Sequence, residues 1–170
     1  HDALPISKWA TLSTGSPDAA YLYWALSTSG VTRAKVDDNA PDGAGSLRVY
    51  IDSALAVATL QATVDAKKPA GSRVTVVSAG SQTVSIPGVV TVQRAYRTQA
   101  EADVLAALVA LQNEIDIGGI VRQSEVIERI MSPAGVVDFA MGGGWTGAPN
   151  VQLGTDKIPS LVPSLTWVEV

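Results

Sequence analysis

Residues 98–119 read TQAEADVLAALVALQNEIDIGG, the clearest periodic signal in the chain. Val104, Leu108, Leu111 and Ile115 recur at helical spacing on one face. Thr98-x-x-Glu101 has the form of a capping box, and Gly118-Gly119 follows as a stop. A long amphipathic helix is predicted. Before it, Thr83 to Gln93 is valine-rich and broken by Pro87-Gly88, which predicts an edge strand with a bulge or two short strands. After it, Gln123 to Met131 sets Val126, Ile127, Ile130 and Met131 on one face of a shorter helix that ends at Ser132-Pro133. Val136 to Met141 then reads as a strand. Gly142 to Gly147 reads as a glycine-rich hairpin loop around Trp145, and Asn150 to Leu153 and Leu165 to Val170 as final strands.

Towards the N-terminus, Ser16-Pro17-Asp18 is a helix start, with a serine cap, a proline at the first turn and an acid at the positive end of the dipole. This helix should run to about Ser29, with Trp24 on its core side and Gly30 as its stop. Val31 to Val36 alternates apolar and charged residues, as do Leu47 to Asp52 beyond a run of turn formers, so a hairpin-like pair of strands is predicted. From Ser53 a second helix carries Val57, Leu60 and Val64, and Lys67-Lys68-Pro69 closes it. Val74 and Val76 mark a third strand. Ser78-Ala79-Gly80-Ser81 is the best boundary in the chain.

The reading is therefore α+β, with two small modules in which helices lie on antiparallel sheets. Residues 1–80 form the first, helix-strand-strand-helix-strand after an irregular segment 1–15, and resemble a ferredoxin-type split unit. Residues 81–170 form the second, strand-helix-helix-strand-strand. Both halves place a Gly-Val step between a helix and a strand, Gly30-Val31 and Gly135-Val136, a weak sign of internal duplication. Leu22, Leu26, Val57, Leu60, Val64, Val104, Leu108, Leu111, Ile127 and Ile130 are the expected core.

With 170 residues, 46% of them apolar and 16% charged, the chain can bury a core and is not composed like a disordered one. The charged share is low against a usual figure of about 25%, which hints at surface covered by other chains. A net charge of −4 gives no basic field for nucleic acid or an anionic membrane. Val104 to Leu111 is the longest apolar run and far short of the roughly 20 residues that span a bilayer. The opening His1-Asp2-Ala3-Leu4-Pro5 is not a signal peptide and reads as the start of a piece cut from a longer chain.

Catalytic chemistry finds little to work with. There is no cysteine, and the one histidine is His1, so thiolate catalysis, a Ser-His-Asp triad and histidine or cysteine metal sites have no residues to use. Asp38 to Gly43 resembles a calcium loop, but its third position is Ala40 and its twelfth Val49, so a solvated acidic turn is the better reading. Glu125 and Glu128 sit at i, i+3 on a polar helix face where a Glu125-Arg129 pair is expected. The alternative is a ligand-binding or hydrolytic domain using Glu125, Glu128 or Asp138 in a cleft between the modules. No cofactor or metal is called for. Trp145 reads as packed on its own module, as a subunit contact or as a stacking ring, and Trp9 also stands in turn-rich sequence.

Several phrases in order resemble the C-terminal part of the baseplate J-like family of contractile phage tails. They are Tyr23-Trp24-Ala25-Leu26, Gly30-Val31-Thr32-Arg33-Ala34, Leu47-Arg48-Val49-Tyr50-Ile51-Asp52 and Lys68-Pro69-Ala70-Gly71, then Gly118 to Ile127, Pro133 to Asp138, Asn150 to Leu153 and the closing Leu161 to Val170. The resemblance implies a structural, non-enzymatic wedge component of a phage or prophage contractile injection machine. It implies contacts with itself and with other wedge or hub proteins in a ring, in the virion tail baseplate, assembled in the bacterial cytoplasm. It also favours Trp145, Gly143, Gly144 and Trp9 as interface residues. The family's N-terminal half, with its long bundling helices, has no counterpart here, and His1 to Gly15 match poorly.

Overall fold

The computed structural model describes residues 18–145 and 149–170. Ser16 and Pro17 of the expected helix start, the segment 1–15 with Trp9, and Thr146 and Gly147 of the glycine loop lie outside them. The chain divides into two compact units, His1–Ala79 and Gly80–Val170.

In the first unit, α1 (Asp18–Leu26) buries Ala20, Tyr21 and Ala25. Of the two leucines expected there, Leu22 is half-buried and Leu26 is 53% exposed. The helix is apolar on nearly every side, so periodicity alone does not choose its inner face. Tyr21, edge-on to Trp24 at 5.3 Å, and the small Ala25 take the core side. The helix ends at Leu26 rather than near Ser29. The Ser27 and Thr28 hydroxyls donate back to the Tyr23 and Trp24 carbonyls at 2.6 and 2.9 Å, and Gly30 at φ 84° turns the chain away.

Strands β1 (Ala34–Asp37) and β2 (Ser46–Ile51) pair antiparallel, Ala34 opposite Ile51. A 3-10 turn, Ala54–Ala56, leads into α2 (Val57–Lys67), which buries Leu60 and Val64 and leaves Val57 half-buried. Lys68 is already extended ahead of Pro69, as the proline ring requires. β3 (Arg73–Ser78) then runs parallel to β2, Leu47 beside Val74. The sheet is therefore mixed, in the order β1-β2-β3, and not simply antiparallel. A whole helix in the connection carries the chain back to the end where β2 began, so β3 can pair with β2 only in parallel. Because the two strands are direct neighbours, the unit also differs from a ferredoxin-type split arrangement. One carboxylate ties the parts together. Asp52, its side chain 8% exposed, accepts from the Thr32 N–H at 3.0 Å, from the Thr32 hydroxyl and from Arg33 Nε at 3.3 Å. Burial pushes its pKa up, but these bonds outweigh burial and hold it below the usual aspartate value.

In the second unit the strand β4 (Gly80–Val92) is central, and not the edge or pair of short strands expected. A 3-10 turn, Arg94–Tyr96, precedes α3 (Arg97–Glu114), and β5 (Ile120–Arg122), α4 (Gln123–Met131), β6 (Val136–Met141), β7 (Asn150–Gln152) and β8 (Lys157–Glu169) follow. β6 pairs antiparallel with β4 from Gly88 onward, with a bulge at Val137, and β8 pairs parallel with it from Gly80 to Val92. Pro87 is tolerated because its carbonyl, and so its nitrogen, faces the β6 side, where β6 has just ended and Gly142 N–H donates to that carbonyl at 2.8 Å. β8 begins eight residues earlier than Leu165, its first half hidden in the sequence by Pro159 and Pro163. β5 and β7 form a separate antiparallel pair.

The long helix has the expected inner face. Val104, Leu108 and Leu111 are buried, and Ile115 just past its end is 7% exposed. The capping box does not form, because the 3-10 turn starts the helix at Arg97 and puts Thr98 inside it; Arg97 instead pairs with Glu101 at 3.6 Å. On α4 Val126 and Ile130 are buried, Ile127 is half-buried against the same core, and Met131 is exposed.

The class is α+β, and the two units share one sheet plan. A central strand, β2 or β4, has an antiparallel neighbour entered from a helix through Gly30 or Gly135, and a parallel neighbour reached through a crossover holding a helix. Gly135 stands at φ 86°, and a Cβ there would fall 2.2 Å from that of Tyr96. The order differs. α1-β1 precedes its central strand, whereas α4-β6 is inserted within the crossover from β4 to β8.

Leu108→Ala should lower the unfolding free energy by about 2–5 kcal/mol, and Leu26→Ala by less than about 1 kcal/mol, in urea titrations of the whole chain. Asp52→Asn should cost about 1.5–3 kcal/mol at pH 7. Because the folded pKa of Asp52 is depressed, its contribution is complete above the unfolded value of about 3.9 and fades as pH falls through the lower folded value. The gap between wild type and Asp52→Asn should therefore narrow below about pH 4 in matched titrations.

Candidate functional site

The end of α3, residues 115–119, β5 and α4 enclose a groove of about 850 Å³ in the second unit. Gln152 on β7 shapes its wall, its carboxamide donating to the carbonyls of Gly118 at 3.0 Å and of Gly119 and Leu153 at 3.2 Å. Glu114, Asp116, Arg122, Glu125, Glu128 and Arg129 line it over an apolar floor of Leu111 and Ile115. Arg122 bonds Glu125 at 2.7 Å, and Arg129 reaches across to Glu114 on α3. The expected Glu125-Arg129 pair is thus replaced by one between helices, because packing of α4 on α3 brings Glu114 to the guanidinium. Asp116 and Glu128 have no ion pair among the described residues.

Of the acids named for the hydrolytic alternative, the fold brings two together and leaves one apart. Glu125 and Glu128 share the groove, but Asp138 is exposed on β6 opposite Thr91 and is not part of its lining. Among the described residues no three His, Cys, Asp or Glu side chains gather to hold a metal ion. In the acidic turn, Asp42 pairs with Arg48, whose hydrogen bond lowers its pKa, and Asp37 accepts from Asn39 N–H at 3.1 Å.

Two surfaces remain. Trp145 follows β6, half-buried against the second unit's core, its N–H donating to the Gly142 carbonyl at 3.4 Å; Gly143 and Gly144 beside it are exposed. The outer face of α3 carries Ala102, Leu105, Ala106, Val109 and Ala110, with Leu105 43% and Val109 57% exposed. The run Val104 to Leu111, apolar all around the helix, is the signal in the sequence for this second face, which periodicity on the inner face obscured.

Residues 13–78 match the family model of the Baseplate J-like central domain. This stretch, 66 of the 170 residues, is similar to a baseplate J-like central domain. Its α1, β1, β2, α2 and β3 all fall within the matched residues. The match is to the central domain of the family, whereas the sequence phrases resembled the C-terminal part; the second unit lies beyond the matched residues. The comparison with curated proteins finds no match. No helix among the described residues is long and apolar enough to cross a membrane.

A double-mutant cycle on Arg129 and Glu114, both more than a third exposed, should give a coupling energy below about 1 kcal/mol in equilibrium unfolding.

Proposed function

We propose that this chain is a wedge component of a contractile tail baseplate, acting through subunit contacts in a ring around the tail hub and not by catalysis. The match of residues 13–78 to a baseplate central domain carries this reading. The second unit would be the family's following, C-terminal portion, and its surface supports the role. The stripe on α3 is uncharged and apolar, as buried interface cores are. The partners would be further copies of this chain and other wedge or hub proteins, in a virion assembled in the bacterial cytoplasm, of phage or prophage origin. Trp145 with Gly143 and Gly144 would form one contact, since tryptophan is enriched among interface hot spots and this one is only half-buried on its own core. Trp9 would supply another. Neither nucleic acid, membrane nor cofactor has a part in it.

Light scattering of the chain, alone and mixed with the products of neighbouring tail genes, tests this. Trp145→Ala should weaken assembly by about 2 kcal/mol, roughly 30-fold in Kd, while its partial packing costs the fold about 1–3 kcal/mol. Unchanged assembly by a folded variant would reduce Trp145 to a packing residue.

A further inference from the structure

β8 is an outer strand, paired on one side only. Gly80 N–H donates to the Asp156 carbonyl at 2.9 Å and Val170 N–H to the Val92 carbonyl at 3.0 Å, so even-numbered residues turn their peptide groups toward β4 and odd-numbered ones outward. The outward positions of the first half are closed one by one. The Lys157 carbonyl accepts from Gly118 N–H at 2.7 Å. Pro159 and Pro163 have no N–H to offer. Between them, Leu161 N–H donates to Gln112 Oε1 of α3 at 2.8 Å. Beyond Pro163 the N–H groups of Leu165 and Trp167 meet no acceptor among the described residues.

The first unit uses the same device. Gln61 of α2 donates to the Val74 carbonyl at 3.0 Å and accepts from Val76 N–H at 2.7 Å, occupying the outer edge of β3 as a neighbouring strand would. In both units the glutamine comes from the crossover helix that leads to the parallel outer strand.

An open 13-residue edge would invite the same edge of a second copy. Antiparallel pairing centred on Pro163 would engage all of β8 and set Lys157 of each copy opposite Glu169 of the other, so the edge is complementary to itself in charge as well as in length. We propose that Gln112, Pro159 and Pro163 form a guard that closes β8 to this pairing with a second copy. The guard lies at the centre of the register, where a missing donor on each strand and a captured Leu161 N–H remove the inner rungs of the ladder. It does not depend on the baseplate reading, because it follows from strand parity and three side chains.

The test uses the 170-residue chain in sedimentation equilibrium and amide hydrogen exchange. Gln112→Ala with Pro163→Thr restores two outward donors and should tighten self-association at least tenfold relative to the parent. Adding Glu169→Lys should reverse that gain, because each Lys157 would then face a second ammonium group in place of a carboxylate. In the unaltered chain, the Leu161 amide should exchange at least tenfold more slowly than those of Leu165 and Trp167. A folded double variant that sediments like the parent, or a gain untouched by Glu169→Lys, overturns the proposal. So does a Leu161 amide exchanging as fast as Leu165, a measurement that needs no variant to fold.

Discussion

The parallel pairing of β8 with β4 is the constraint on which the second unit depends. Parallel neighbours cannot be joined by a tight turn, so everything between Val92 and Lys157 is the crossover. That crossover holds two helices, an inserted antiparallel strand and a small two-stranded sheet. α3 and α4 cover the inner face of the three-stranded sheet with Val104, Leu108, Leu111, Val126 and Ile130, and the core closes over Val84, Ile86 and Val90 of β4. The groove exists because α3, α4 and β5 meet at one end of this crossover, and Trp145 is seated because β6 ends where Pro87 leaves its side of β4 free.

The first unit solves the same problem in a shorter chain. β2 and β3 are joined by α2 alone, and the antiparallel neighbour is supplied beforehand by α1 and β1. The Gly-Val steps at 30 and 135 mark equivalent junctions. Each glycine has a positive φ because a helix must be turned sharply onto the sheet edge, and at 135 the Tyr96 side chain leaves no space for a Cβ. The shared plan is physical as much as historical, since any mixed sheet of this order needs one tight helix-to-strand junction and one long crossover.

Of the acidic residues that could have suggested hydrolysis, Glu125 is engaged by Arg122, Glu128 shares its groove without an ion pair among the described residues, and Asp138 is not part of that lining. What the second unit presents is an uncharged helix ridge and a half-buried indole, on a chain whose residues 13–78 match a baseplate domain model. An outer strand whose first-half donors are captured or missing offers fewer rungs for random edge pairing with other chains.

Where helices and strands lie, and which face of α3 is buried, were legible in the chain alone, because they follow from spacing and from Gly and Pro punctuation that act within a few residues. The phrases from Tyr23 to Gly71, which fall within the residues that match the baseplate domain model, were legible there too. Strand direction, the central place of β4 and the full length of β8 came only from tertiary contacts. Pairing partners stand far apart in the chain, Gly80 with Lys157 and Ser46 with Arg73, and proline in a strand reads as a break until the fold shows that its missing donor faces no partner. The inner face of α1 and the Arg129-Glu114 pair were likewise set by packing, since Leu22 and Tyr21 are equally apolar in a local window and Glu125 is as near to Arg129 in sequence as any partner could be. Where local chemistry offers two equivalent choices, the contact made between distant segments selects one.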